Sequence, residues 1–144
     1  TYLKKLIDDF HAKSEEVHGI IAEGIFSGDN KVGYNVKNIF TEEIKELARS
    51  DKVLDGFTVG HFSFSNETFN FAKKSIRDSI NKKIVVIDEI GPFELSGKGY
   101  ADELQQLLKS ETQHIILVAR SRCLKEMIDL FHIDQNSTHI IPIT

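Results

Sequence analysis

A run of four aliphatic residues with no polar residue among them, Ile84–Ile87, limits most strongly what this chain can fold into. An unalternating run of this kind is typical of a parallel strand whose two faces are both covered. A second such run, His114–Ala119, follows after a stretch with helical spacing, and Phe62–Ser65 and His139–Ile143 are further short strand candidates. The order strand, helix, strand, helix, strand predicts an α/β fold with a mostly parallel sheet and helices on both faces. The predicted helices have apolar stripes at Phe69, Ala72, Ile76 and Ile80, at Tyr100, Leu104, Leu107 and Leu108, and at Leu124, Met127, Ile128 and Phe131, and Asn66 is the predicted cap of the first of them.

The first half of the chain has a different pattern. Apolar residues at helical spacing from Leu3 to Phe10 predict an opening helix. The segments Val17–Phe26 and Lys31–Phe40 flank a turn-forming Ser-Gly-Asp-Asn sequence and predict a small antiparallel hairpin insertion. Thr41–Arg49 fits either a helix or a third antiparallel strand, and we favour the strand because it continues the meander.

Length and composition favour one globular domain over residues 1–144. The chain has no repeat or linker-like segment, and its 16.3 kDa is near the commonest domain size. With a net charge of -4 the protein has no overall positive potential that would attract nucleic acid, although a local basic groove stays possible. The aliphatic runs are too short to span a bilayer, and a single cysteine leaves no disulfide framework. We therefore expect a cytoplasmic protein without nucleic-acid or membrane partners.

Polar residues follow two of the predicted parallel strands, where ligands bind in open α/β sheets. Asp88 and Glu89 come directly after Ile84–Ile87, and Arg120 follows the next strand. The first carboxylate could hold Mg²⁺ through its water shell, and the second could activate a water that attacks a γ-phosphate. The arginine could stabilise charge on the phosphoryl oxygens. Strand ends of α/β proteins also carry polar residues that only cap helices or form ion pairs, so this pattern by itself leaves both interpretations open.

A longer motif around the acidic pair is more specific. Residues 84–95 read IVVIDEIGPFEL, and this segment resembles the metal-binding strand of the cancer-related nucleoside-triphosphatase family, a family of P-loop enzymes. The resemblance extends in order to GIIAE at 19–23, KVGYNV at 31–36, GHFSFSNETF at 60–69 and LVARSR at 117–122. It therefore covers most of the chain, from the first helix to the last strand.

The resemblance implies a Mg²⁺-dependent hydrolysis of ribonucleoside triphosphates, ATP and GTP among others, to diphosphate and phosphate. It matches Asp88 with the carboxylate that holds the metal and Glu89 with the catalytic glutamate. Arg120 matches the arginine at the end of the next strand, with a catalytic and nucleotide-binding role, and Arg122 is a second nucleotide-binding candidate. Glu94 is expected to cap a helix or support the site rather than to act in catalysis.

The phosphate-binding loop of that family has no counterpart in this sequence. The pattern G-x-x-x-x-G-K-[ST], whose amides and lysine hold the phosphates, does not occur. In the family this loop directly precedes the first helix, so Thr1 is expected to be either the loop's own metal-binding Ser/Thr or the residue after it. We therefore expect that a first strand and the loop are absent, which leaves a gap in the sheet and makes this chain bind triphosphate weakly or not at all.

Two other functions fit the same residues. The chain could be a nucleotide-dependent binding or regulatory module that does not hydrolyse its ligand, or a small nucleoside or nucleotide kinase whose carboxylate activates a hydroxyl. Phe62 or Phe64 could line a nucleobase pocket, although clustered aromatics are more often core. The six histidines lack metal-ligand spacing, and Cys123 is expected to be an ordinary residue at a helix start.

Overall fold

The computed structural model describes residues 1–143, which form seven strands, five α-helices and two short 3₁₀ turns. No described helix has the length and apolar character needed to cross a membrane. The strands are β1 (His18–Ser27), β2 (Asn30–Asn38), β3 (Ile44–Arg49), β4 (Thr58–Val59), β5 (Phe62–Phe64), β6 (Ile84–Ile90) and β7 (His114–Ala119); the helices are α1 (Tyr2–Ala12), α2 (Asn66–Ser79), α3 (Pro92–Leu95), α4 (Ala101–Leu108) and α5 (Leu124–Leu130).

All seven strands form one sheet in the order β4-β5-β3-β2-β1-β6-β7. The strands β1, β6 and β7 are parallel to one another, and the remaining neighbours pair antiparallel. The predicted α/β class is confirmed. The antiparallel part is larger than the hairpin expected from the sequence, because β3, β5 and β4 continue the meander beyond β2, and parallel pairing is confined to three strands.

Strand β6 is buried on both faces, as its unalternating sequence predicts. Its residues Ile84–Ile87 are at most 1% exposed. Helix α1 covers one face, where Leu3 and Ile7 pack in a cluster with Val86. Helices α2, α4 and α5 cover the other face around Ile87. Full burial of one such aliphatic side chain contributes roughly 1.5–3 kcal/mol, so this double cover fixes β6 and the residues that follow it.

The hairpin and the third strand are confirmed, but the cap of α2 differs from the expectation. Ser65, rather than Asn66, is the cap: its Oγ accepts a hydrogen bond of 3.1 Å from the Thr68 amide. The physical reason is the backbone, since Ser65 is extended while Asn66 already belongs to the helix.

The predicted last strand, His139–Ile143, does not form. Residues 138–143 have no regular structure and expose Ile140, Ile141 and Ile143 by 49–60%. A strand needs a neighbour for its backbone hydrogen bonds, and this segment pairs with no described strand although β7 has a free outer edge. The seven described strands are also continuous, so the expected gap between strands does not occur among residues 1–143.

Candidate functional site

Asp88 is held rigidly where β6 separates from β1. Its Oδ2 accepts a hydrogen bond of 3.0 Å from the Ala22 amide of β1, and its Oδ1 accepts one of 2.9 Å from the Glu89 amide. The residue is only 9% exposed. Burial raises the pKa of Asp88 to about 6; the hydrogen bond from Ala22 opposes this rise and the charge of Glu89 adds to it. The carboxylate is thus mainly ionised at pH 7, and each oxygen keeps a free lone pair.

Glu89 differs sharply from its neighbour. Its side chain is exposed, and its backbone φ of 63° lies in the left-handed region that residues other than glycine rarely adopt. The pairing of β6 with β7 shifts at this point, between Ile87 and Ile90. This irregularity keeps Ile90 in the core while Glu89 reaches the surface. Such a conformation costs about 1–3 kcal/mol and is concentrated at functional sites.

The two carboxylates border a cavity of about 320 Å³. Strands β1 and β2 form one wall with Ala22 and Tyr34, and Arg120 lines the cavity as well. The remaining wall is largely aromatic and comes from β5, α2 and the loop around α3. Its aromatic lining residues are Phe62, Phe64, Phe69, Phe93 and Tyr100.

Arg120 reaches this cavity because of the register between β6 and β7. Ala119 pairs with Ile90, so Arg120 stands one residue beyond the end of the ladder, beside the acidic pair. The arginine is exposed and forms no ion pair with any of residues 1–143. It therefore remains available for an anionic group.

The structure does not bring every predicted site residue to the cavity. Thr1 is exposed and caps α1, where its Oγ1 accepts a 3.3 Å hydrogen bond from the Lys4 amide. Arg122 is exposed within a short 3₁₀ turn, Ser121–Cys123. Neither Thr1 nor Arg122 is among the residues that line the cavity. Their metal-binding and nucleotide-binding roles stay predictions.

Glu94 is a helix cap, one of the two roles expected for it. Its Oε1 accepts a 2.8 Å hydrogen bond from the Gly91 amide, and its Oε2 accepts one of 3.0 Å from the Tyr100 amide. Burial raises the pKa of Glu94, and these two hydrogen bonds oppose the rise. The side chain thereby closes the loop between β6 and α4 and fixes the wall of the cavity. Cys123 is buried at the start of α5, as expected.

Lys31 and Tyr34 lie near the acidic pair, although neither residue was predicted from the sequence to belong to the site. The Lys31 Nζ is 3.9 Å from the centroid of the Tyr34 ring, and its charge lowers the pKa of Asp88. The hairpin register contains the signal that could have found them: Ala22 pairs with Val36 and Gly24 pairs with Tyr34. Strand alternation then places Tyr34 and Val36 on the face that lines the cavity.

The donor set suits a hard divalent cation that keeps most of its water. No three His, Cys, Asp or Glu side chains converge within residues 1–143. Two buried carboxylates, Asp88 and Glu94, line the cavity; Glu94 caps the loop around α3, which leaves Asp88 as the candidate for holding a cation. Mg²⁺ prefers oxygen ligands and is commonly bound by one or two carboxylates together with waters and phosphates. Asp88 fits this requirement because both of its oxygens retain a lone pair.

Comparison with known proteins decides the family. A family model described as NTPase matches residues 1–142. The chain belongs to this family. Its sequence is 33% identical over 135 residues to the nucleoside-triphosphatase THEP1 of Pyrococcus abyssi, a match that covers 86% of this chain and 72% of the relative. The THEP1 proteins of Methanopyrus kandleri and Thermococcus kodakarensis are 27% and 30% identical over 108 residues, and the chain spans 59% and 60% of their lengths.

Two solved structures share the fold. The solution structure of a human cancer-related nucleoside triphosphatase matches with a TM-score of 0.67 and 19% identity, over 89% of this chain and 76% of that one. The crystal structure of THEP1 from Aquifex aeolicus matches with a TM-score of 0.64 and 15% identity, over 90% and 74% of the two chains. The family resemblance inferred from the acidic motif is therefore confirmed.

Proposed function

We propose that the acidic pair at the end of β6 is the hydrolytic centre of a Mg²⁺-dependent nucleoside-triphosphatase. One observation carries the proposal: a buried, doubly hydrogen-bonded Asp88 and an exposed, backbone-strained Glu89 lie side by side at a cavity that Arg120 also lines. The related proteins named nucleoside-triphosphatase support the substrate class. The products would be nucleoside diphosphate and phosphate.

Glu89 would act as the general base. Its carboxylate would accept the proton of a water whose oxygen bonds to the γ-phosphorus, while the bond from that phosphorus to the bridging oxygen breaks. The left-handed backbone supports this role, because it directs an acidic side chain to the cavity without pulling Ile90 out of the core.

Asp88 would hold the cation. When bound, Mg²⁺ supplies positive charge that stabilises the phosphoryl oxygens and the leaving diphosphate. The hydrogen bonds from Ala22 and Glu89 fix the Asp88 carboxylate in one orientation, as expected for a metal-binding group. Arg120 would add a guanidinium for the phosphoryl oxygens. Nucleotide binding by Arg122 and metal binding by Thr1 stay predictions.

Broad tolerance for the base of the triphosphate is part of the proposal. Catalysis would depend on the phosphate end of the substrate, where the charged residues are concentrated. The sequence contains no G-x-x-x-x-G-K-[ST] pattern. Because this activity is proposed for the whole protein, turnover is best measured on the product of the complete gene.

Phosphate release by a Glu89→Gln variant tests the proposal. We expect turnover of Mg²⁺-ATP and Mg²⁺-GTP to fall roughly 10²- to 10⁴-fold, since glutamine cannot accept the proton, while binding of the Mg²⁺-triphosphate persists. Glu111→Gln is the matched control, because Glu111 is exposed and does not line the cavity. Unchanged turnover in Glu89→Gln would remove Glu89 from this role, and tight binding without release by the native protein would instead identify a binding module.

A further inference from the structure

The cavity continues beyond the acidic pair into an aromatic compartment that hydrolysis does not use. The Tyr34 and Phe62 rings lie 5.4 Å apart between centroids and are tilted by 53°. Phe64 stacks on Phe57 at 5.0 Å and meets the edge-on ring of Phe93 at 6.4 Å. Four of these rings line the cavity, and Phe57, which does not line it, packs against Phe64 and Phe93. A phosphate chain gains nothing from such a wall.

The compartment suits a flat ring. Cavities of about this size bind small molecules, and aromatic walls favour planar heteroaromatic ligands. A base stacked on an aromatic side chain typically binds roughly 5- to 100-fold more tightly than it does without that side chain. The apolar lining also carries few groups that could read one base against another.

The polar end of the cavity defines the rest of the ligand. Glu89 can accept a hydrogen bond from a hydroxyl, and it borders the same cavity as the aromatic rings. Lys31 lies over the Tyr34 ring, and within residues 1–143 neither Lys31 nor Arg120 forms an ion pair. A molecule with a planar ring at one end and a hydroxyl group at the other matches this arrangement, and a nucleoside is such a molecule.

The planar ring in this compartment is not the base of the triphosphate that is being hydrolysed. This step rests on the proposed function, in which Glu89 faces the γ-phosphate. The sugar and two further phosphates separate that phosphate from its own base, whereas Phe93 and Tyr34 of the aromatic compartment line the same cavity as Glu89. A second molecule can reach both the compartment and Glu89 at once.

We propose that the aromatic compartment binds a nucleoside as an alternative phosphoryl acceptor to water. The hydroxyl oxygen of the nucleoside bonds to the γ-phosphorus of the bound triphosphate, and the bond from that phosphorus to the bridging oxygen breaks. The hydroxyl proton passes to the Glu89 carboxylate, and nucleoside diphosphate leaves. The products are a phosphorylated nucleoside and the diphosphate, so no further reactant is needed.

The first experiment measures the binding of adenosine alone to this chain by NMR or calorimetry. We expect adenosine to bind, and Phe62→Leu to weaken that binding roughly 5- to 100-fold because leucine keeps the apolar volume but loses the ring face. Tyr34→Leu is a second variant with the same expectation, and thermal unfolding shows that each variant is folded. Phe26→Leu is the matched control, since Phe26 is 62% exposed and lies outside the cavity lining. No binding, or equal binding by all variants, would overturn the proposal.

Transfer is tested on the product of the complete gene, with triphosphate labelled at the γ-phosphate and added adenosine. We expect labelled adenosine monophosphate at the expense of free phosphate, and less of it in Phe62→Leu than in Phe26→Leu. Phosphate release without any labelled nucleotide would overturn the acceptor role and leave the proposed hydrolysis intact. If Phe62→Leu instead raises the KM for the triphosphate and adenosine has no effect, the ring in the compartment belongs to the hydrolysed substrate and the proposal fails.

Discussion

Burial gives the two adjacent acidic residues of the site different environments. Asp88 and Glu89 are adjacent acids, yet one is enclosed and hydrogen-bonded while the other is exposed on a left-handed backbone. The chemistry proposed for the site depends on this difference, because a fixed carboxylate suits a cation and a free one suits proton transfer. His18, at the start of β1, shows the same effect of burial in a basic group.

Because His18 is buried, we expect the free energy of unfolding to decrease as the pH falls. Its ring is buried and stacks on Phe40 at 4.2 Å, and burial lowers its pKa below 6.5 despite the nearby Glu16; Lys82 lowers it further. A depressed pKa in the folded state gives stability that is complete above pH 6.5 and is lost as the pH falls through the lower value. We expect the free energy of unfolding to decline more steeply between pH 7 and pH 5 in the native protein than in His18→Gln. Urea unfolding across this range measures it, and parallel curves would contradict the expectation.

The positions of the acidic residues could be predicted from sequence, but their conformations could not. A buried parallel strand must end at the edge of the sheet, so the location of Asp88 and Glu89 followed from the preceding aliphatic run. The left-handed φ of Glu89 depends on how β6 pairs with β7, which is a contact between distant segments. Lys31 and Tyr34 were missed for the same reason, since the hairpin register brings them to the site.

At the scale of elements, sequence patterns predicted helices and strands correctly where the element packs against the core. Strand β6 and helix α2 formed where they were predicted, because the apolar residues that each buries are visible in the sequence, although β6 continues through Asp88 and Glu89 to Ile90. The segment 139–143 is as apolar as a strand, but strand formation also needs a neighbour, and no periodicity reports whether one is present. The cap of α2 lies one residue before the predicted one, because its position depends on where the backbone changes from extended to helical.

Close packing of β1 against β6 predicts that Gly19 cannot be replaced. Gly19 has φ of 106°, and a Cβ there would collide with the Val86 carbonyl of the neighbouring strand. We expect Gly19→Ala to lower the free energy of unfolding by about 3–5 kcal/mol through strain and overpacking together. Gly28→Ala is the control, because Gly28 is also left-handed, at φ of 61°, but has open space around it; it should cost only about 1–2 kcal/mol. Equal losses in denaturant unfolding would show that the contact with Val86 is unimportant.

At the scale of the whole molecule, the two parts of the sheet contribute different things to one cavity. The charged residues Asp88, Glu89 and Arg120 lie at the ends of the parallel strands β6 and β7. The antiparallel strands β2 and β5 contribute Tyr34, Phe62 and Phe64 to the aromatic lining, and the rest of that lining comes from α2 and the loop around α3. Strand β1 belongs to both parts, and its Ala22 amide holds Asp88. The site therefore exists only when both parts of the sheet are joined through β1.

Metal binding at Asp88 is the most direct test of this account. Mn²⁺ binds to the same kinds of oxygen sites as Mg²⁺, and electron paramagnetic resonance counts its free and bound forms. With the complete gene product and a non-hydrolysable triphosphate, we predict that Asp88→Asn raises the Kd for Mn²⁺ about tenfold or more, whereas Asp102→Asn, an exposed control, leaves it unchanged. Equal Mn²⁺ affinity in the native protein and Asp88→Asn would contradict the assignment of this strand end as the catalytic centre.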